Sequence, residues 1–316
     1  MKTTFLLPLR FAQNGARRIP MGLVVALAVT LVHLNATAVE VDLGTANNFA
    51  VLAGSAISDA GGSTITTGNV GLSPTTGAAI TGLTAGQVDG TIYAVDAFGP
   101  AGSINNPGLL TTAKNDLTTA YNTAFGLPVT ETLTGTDLGG LTLTPGVYFF
   151  ASSAQLTGKL TLNDEGNPDA VFVFQIGSTL TTASSSQVFE ELNATGTPAS
   201  NPGISVFWQV GKSATLGTGT DFEGNILAST TITDDGGSTV LGRLLAETAA
   251  VNLNDTTITA PPAEVIGGGG GENVPDTGST LLLLGFGVAT LFAFKALSAW
   301  QRSGSLIAGG AAHPAI

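Results

Sequence analysis

Between Val41 and Thr259 the chain alternates polar and apolar residues in short runs, each closed within a few positions by Gly, Pro, Asn or Asp. Successive side chains of a strand point to opposite sides, so this pattern predicts short strands with one buried side. Ile65, Leu180, Leu216, Ile232 and Leu253 are the inward positions. Their neighbours then point outward: Thr64 and Thr66, Thr179 and Thr181, Thr215 and Gly217, Thr231 and Thr233, Asn252 and Asn254. One stretch departs from this period. From Asn106 to Phe125, residues Leu109, Leu110, Ala113, Leu117, Ala120, Tyr121 and Ala124 fall at helical spacing and predict a single helix, ended by Gly126 and Pro128.

The strands also repeat. AVFVFQIGSTLTTAS (Ala170 to Ser184) is echoed by SVFWQVGKSATLGTGT (Ser205 to Thr220), and Gly224–Asn225–Ile226–Leu227–Ala228 by Gly242–Arg243–Leu244–Leu245–Ala246, 18 residues later. Recurrence at that pitch fits solenoid coils of about three strands each. A β-sandwich would also supply many short strands, so the outward positions matter. Threonine is ordinary on a solvated β-surface, yet Lys and Glu, which such a surface normally carries, are almost missing there. Stacked at about 4.7–4.9 Å, these residues would form columns on a flat, uncharged face suited to an equally regular partner.

Composition narrows the function classes. The chain has 316 residues, 43% of them hydrophobic, with 43 Gly and only 10% charged residues, which favours strands and tight turns over helix bundles. Only four of the ten Lys and Arg lie between Val39 and Asn273, and every acidic residue follows Val39, so the body is anionic and lacks a basic patch for nucleic acid. There is no Cys, and the two His are His33 and His313, which removes thiolate and imidazole chemistry from the body. Paired carboxylates are the one catalytic option: Asp164 with Asp169, Glu190 with Glu191, or Asp234 with Asp235. Adjacent acids in polar loops more often cap turns. No calcium-binding repeat or EF-hand spacing is present, so the expectation is no enzyme, no cofactor and no required metal.

The two ends read as addresses. Arg10, Arg17 and Arg18 precede an apolar run from Met21 to Val32 and the small residues Ala36–Thr37–Ala38, which predicts a signal peptide over residues 1–38. A retained N-terminal anchor is the alternative. The folded body then spans 39–260. Pro261–Pro262 and the glycines Gly267 to Gly271 form a linker over 261–273. Residues 274–302 hold Val274, Pro275, Asp276, Thr277 and Gly278, an apolar stretch from Leu281 to Phe294, then Lys295 and Arg302; residues 303–316 are a tail. The apolar stretch spans a bilayer as a transmembrane helix only if it extends past Lys295 to Trp300. This order resembles C-terminal sorting signals of the PEP-CTERM type, in their VPDSG variant. That resemblance implies transient membrane insertion, cleavage by a processing protease, and a secreted or cell-surface product. A sortase substrate is the alternative.

The strings LGTANNFAVLAGSAIS (Leu43 to Ser58), ITTGNVGLSP (Ile65 to Pro74), DLTTAYN (Asp116 to Asn122), LGGLTLTPGVYFF (Leu138 to Phe150) and VFVFQIGSTLTTAS resemble the DUF3494-type ice-binding proteins, as do Phe207 to Thr220 and Gly242 to Ala246. The resemblance implies an all-β-dominated, right-handed discontinuous β-solenoid of triangular section, one long helix packed alongside and a capping insertion within Thr81 to Pro107. It implies a monomer whose partner is an ice crystal surface, bound through a flat face of Thr, Ser and Ala. The candidate ice-binding residues are Thr64, Thr66, Thr67, Asn69, Thr157, Thr179, Thr181, Thr182, Ser184, Thr215, Thr218, Thr220, Thr231 and Thr233. Family members carry Thr-(Ala/Gly)-x-(Thr/Asn) turns; Thr182–Ala183–Ser184–Ser185 and Thr218–Gly219–Thr220–Asp221 match at two positions, and Asp221 would interrupt an ordered array. Binding there would inhibit ice growth and recrystallisation or attach the cell to ice; a structural surface protein or adhesin is the alternative reading.

Overall fold

The computed structural model describes residues 41–167, 170–191 and 205–261; the predicted leader, most of the linker, the C-terminal motif and the tail lie outside them. A 3-10 turn, Gly44–Asn48, opens the described chain. It is followed by β1 (Phe49–Ala53), β2 (Ile57–Asp59), β3 (Thr64–Thr67), β4 (Asn69–Leu72), β5 (Ile80–Thr81), β6 (Ile92–Ala94), β7 (Ile104–Asn105) and the helix α1 (Pro107–Gly126). After the helix come β8 (Glu131–Thr132), β9 (Thr142–Leu143), β10 (Gly146–Phe150), β11 (Ala154–Leu156), β12 (Lys159–Asn163), β13 (Val171–Ile176), β14 (Leu180–Thr182) and β15 (Gln187–Glu191). The last group is β16 (Ser205–Val210), β17 (Ala214–Leu216), β18 (Asp221–Ala228), β19 (Ile232–Asp234), β20 (Thr239–Ala246), β21 (Val251–Leu253) and β22 (Thr257–Thr259).

These strands wind into a three-sided coil in which neighbours pair in parallel. The first side runs β7, β6, β4, β1, β20, β18, β16, β13, β10, β8. The second is a separate sheet, β11, β14, β17, β19, β21, β2, β5. The third holds β9, β12, β15, the first residues of β18 and β20, then β22 and β3. Strands β18 and β20 each cross from the third side to the first at a glycine with positive φ, Gly224 (φ 115°) and Gly242 (φ 150°). A Cβ on Gly242 would lie 2.0 Å from the Gly224 carbonyl oxygen, so the corner admits no side chain.

The repeats seen in the sequence become ladder partners. Gly224 to Ala228 pairs residue for residue with Gly242 to Ala246, and Phe174 lies beside Trp208. Their rings stack at 3.8 Å, with Tyr148 next to Phe174 at 5.5 Å and Phe222 next to Trp208 at 5.2 Å, forming an aromatic column in the core. The inward residues Ile65, Leu180, Leu216, Ile232 and Leu253 are all buried, as the alternation predicts.

Stacking order is not chain order. Strand β1 pairs with β20, so the first coil docks on the last, and α1 carries the chain to the far end of the stack. At about 1.5 Å per residue the helix is about 30 Å long, equal to roughly six ladder steps. Its buried stripe of Leu110, Ala113, Leu117, Ala120 and Ala124 packs on Phe49, Leu52, Val147, Val173, Phe207, Leu227 and Leu245 of the first side. Its start is capped by Asn106, whose Oδ1 accepts from Leu109 N at 3.1 Å. At its end, Gln175 Nε2 from the sheet donates to the carbonyls of Ala124 (2.8 Å) and Leu127 (2.9 Å), groups a helix terminus leaves free. Lys114 Nζ bonds the carbonyls of Ala246 (2.7 Å) and Glu247 (2.5 Å); burial brings this ammonium down to about 8, against the opposing pull of Glu247. The expected cap region extends the first side by β6 and β7 and leaves Phe98 and Ile104 exposed. Among the described residues no helix is long and apolar enough to cross a membrane.

Candidate binding face

The three sides differ in what they offer a ligand. The first is covered by α1. The third is mixed: its outward positions include Lys159, Gln187, Asp221, Phe189 and Leu241, with Lys159 Nζ 3.4 Å from the centre of the Phe189 ring. Toward the edge of that side, burial and the neighbouring Glu223 push the Glu190 carboxyl up to about 8, and burial raises Glu223 as well. The second side is uniform.

Its middle column reads Gln155, Thr181, Thr215, Thr233, Asn252, Ser58, Thr81, fixed side by side by the strand register. One residue before each strand the ladder continues through Ser153, Thr179, Ser213, Thr231, Ala250, Ala56 and Ala79. After the strands come Thr157, Ala183, Gly217, Asp235, Asn254 and Ala60. None of these positions holds Lys, Arg or Glu, and Asp235 is their one carboxylate. Strand geometry spaces the columns at about 6.6 Å and the rows at about 4.7–4.9 Å. Neighbouring rows restrain each other's rotamers. Ser58 Oγ donates to Asn252 Oδ1 at 2.9 Å, Asn252 Nδ2 to Thr233 Oγ1 at 3.4 Å, and the Ser153 and Thr179 hydroxyls lie 2.8 Å apart.

A polar spine behind the face holds the corner between the second and third sides. Asp234 accepts from Ser238 Oγ (2.5 Å), Gly236 N (3.2 Å) and Thr256 Oγ1. Thr256 N donates to Ser63 Oγ at 2.9 Å, and Ser63 Oγ to Asp59 Oδ1 at 2.7 Å. Asp59–Ala60–Gly61–Gly62–Ser63–Thr64 and Asp234–Asp235–Gly236–Gly237–Ser238–Thr239 are thus one corner motif used twice. The repeat is visible in the sequence as D-x-G-G-S-T, a signal the strand periodicity alone passes over.

The candidate residues do not all meet. Thr179, Thr181, Thr215, Thr231 and Thr233 share the second side, with Thr157 in its trailing column. Ser184 and Thr218 are exposed on the turns leading to the third side. Thr182 and Thr220 are corrected: both are buried, their hydroxyls 2.9 Å apart and bonded to Gly217, because Thr182 falls on the inward parity of Leu180 within β14 and Thr220 directly precedes the outward Asp221. Thr64, Thr66, Thr67 and Asn69 belong to the other sheet, where Thr66 faces Thr259 at 2.7 Å, Thr67 bonds the Ala260 carbonyl and Asn69 bonds the Asn48 carbonyl. Asp221 also lies on the third side, away from the threonine columns. Ser58 and Thr81, outward on the second side, escaped the sequence reading because their neighbours in the ladder are distant in the chain. Of the paired acids, Asp234 is buried in the spine while Asp235 is exposed; Asp169 and the Glu191 side chain lie outside the described residues.

A family model described as Ice-binding-like matches residues 51–259, and one for the VPDSG-CTERM motif matches residues 273–298. An ice-binding protein of Nostoc sp. (strain HG1) is 46% identical over 260 residues, covering 80% of this chain and 86% of that protein. One from Colwellia sp. is 44% identical, covering 70% and 84%. Among solved structures, an ice-binding protein from an Antarctic biological consortium aligns with a TM-score of 0.59 at 40% identity, covering 70% of this chain and 91% of that one. One from an Arctic yeast aligns with a TM-score of 0.62 at 34% identity, covering 71% and 95%.

Proposed function

The chain belongs to the Ice-binding-like family and binds ice, and from that premise we propose that the second side of its solenoid is the surface that does so. The observation that carries this reading is the contrast among the sides: one is covered by a helix, one is irregular and charged, and one is a regular array of small hydroxyl, methyl and amide groups. Ice is itself a periodic array of oxygens. Hydroxyls and methyls at fixed intervals hold water in an ordered layer that merges with a crystal plane. Each contact is weak, but the solenoid and its side-chain bonds are ordered before binding, so little entropy is lost on contact. The bound molecule blocks growth at its position, which inhibits ice growth and recrystallisation. No covalent step is involved. The VPDSG-CTERM match supports export and a place at the cell surface, with a processing protease reading Val274 to Gly278.

The test is thermal hysteresis and recrystallisation inhibition by the full chain and its variants. Thr215→Tyr and Thr181→Tyr place a bulky ring in the middle column and are expected to weaken ice binding about tenfold or more, roughly 1.4 kcal/mol. Thr257→Tyr, exposed on the third side, is expected to leave activity unchanged. If Thr257→Tyr abolishes activity while Thr215→Tyr spares it, the face is wrong.

A further inference from the structure

The two ends of the folded body meet at one vertex. The turn Gly44–Asn48 leads into β1, and Ala260 and Pro261 follow β22, so both lie where the third side turns into the first. One buried guanidinium holds them. Arg243 donates from Nε to the Asn47 carbonyl at 3.0 Å, from Nη2 to the Pro261 carbonyl at 2.6 Å, and from Nη1 to Asn225 Oδ1 of the adjacent coil at 3.0 Å. Thr67 Oγ1 adds a bond to the Ala260 carbonyl at 2.5 Å. In a three-sided coil this is the vertex that the second side does not touch. The chain therefore leaves the body opposite the threonine sheet.

We infer that this vertex is the mount by which the protein is held at a surface, so that a tethered molecule presents its second side outward and works as an ice adhesin. The inference rests on the reading that the second side binds ice. The sorting motif begins at residue 273, leaving residues 262–272 between mount and motif. One coil is 18 residues around, a perimeter of roughly 60 Å at strand rise. The edge of the second side lies about a third of that, roughly 20 Å along the coil, from the mount, so a tether attached here starts on the far side of the body from the threonine columns. A molecule held from its N-terminal side would be presented the same way, because Asn47 sits at the same vertex.

The chain has no Cys, so one introduced Cys sets the point of attachment. Full-length chains carrying Gly269→Cys, beyond the mount, or Lys212→Cys, exposed at the vertex between the first and second sides, are biotinylated and coupled at equal density to streptavidin beads. The beads are then flowed past a growing ice front. Several-fold more beads are expected to be held through Gly269→Cys than through Lys212→Cys. Equal capture, or more through Lys212→Cys, overturns the mount, provided both variants free in solution inhibit recrystallisation like the wild type. If the free wild type leaves ice growth untouched, the ice-binding reading itself has failed and takes the adhesin with it.

Discussion

Asp235 is the residue that least suits the proposed surface. It stands exposed in the trailing column between Gly217 and Asn254, and a carboxylate binds liquid water tightly in a geometry of its own. Asp235→Asn keeps the shape and removes the charge, so hysteresis is expected to rise modestly, measured at equal protein concentration. Asp221→Asn, on the third side, is expected to change nothing. The alternation around a single inward Leu or Ile correctly set Thr181, Thr215 and Thr233 outward. It also sets Thr182, two residues after Leu180, and Thr220, just before the outward Asp221, inward, where hydroxyls bonded to Gly217 take the place of apolar side chains; the family's Thr-Ala and Thr-Gly turns had pointed the other way. A turn motif names residue types, and the strand period decides which way they point.

At the scale of elements, α1 is the part most fully written in its own residues. Its start at Asn106, its Leu and Ala stripe and its end near Gly126 and Pro128 follow from local chemistry. Leu117 lies fully buried in the middle of that stripe. Leu117→Ala is expected to cost about 3 kcal/mol of stability, read from denaturant unfolding, with ice shaping retained wherever the domain stays folded. The corner motif at Asp59 and Asp234 is equally local but has no hydrophobic period to announce it. Its role becomes visible only when Thr256 and Ser63 join the two copies into one spine.

At the scale of the molecule, closure is made by residues far apart in the chain. The pairing of β1 with β20 and the reach of Arg243 to Asn47, Asn225 and Pro261 join the beginning and end of the body. Burial lowers this guanidinium to about 10 without neutralising it at physiological pH. Arg243→Leu leaves two carbonyls and an amide oxygen without their charged donor, and is expected to cost at least about 3 kcal/mol, seen as a lower calorimetric Tm. The sequence by itself determined the strands, the helix, the winding of repeated coils and the small, uncharged chemistry of their outward positions. All of these depend on neighbours a few residues away. Only the tertiary structure decided that the first coil docks on the last, that Ser58 stands beside Asn252, that Thr64 and Thr66 face another side, and that both ends leave opposite the threonine columns. Parallel stacking matches strands across gaps in the chain, and no local period records which gap is closed.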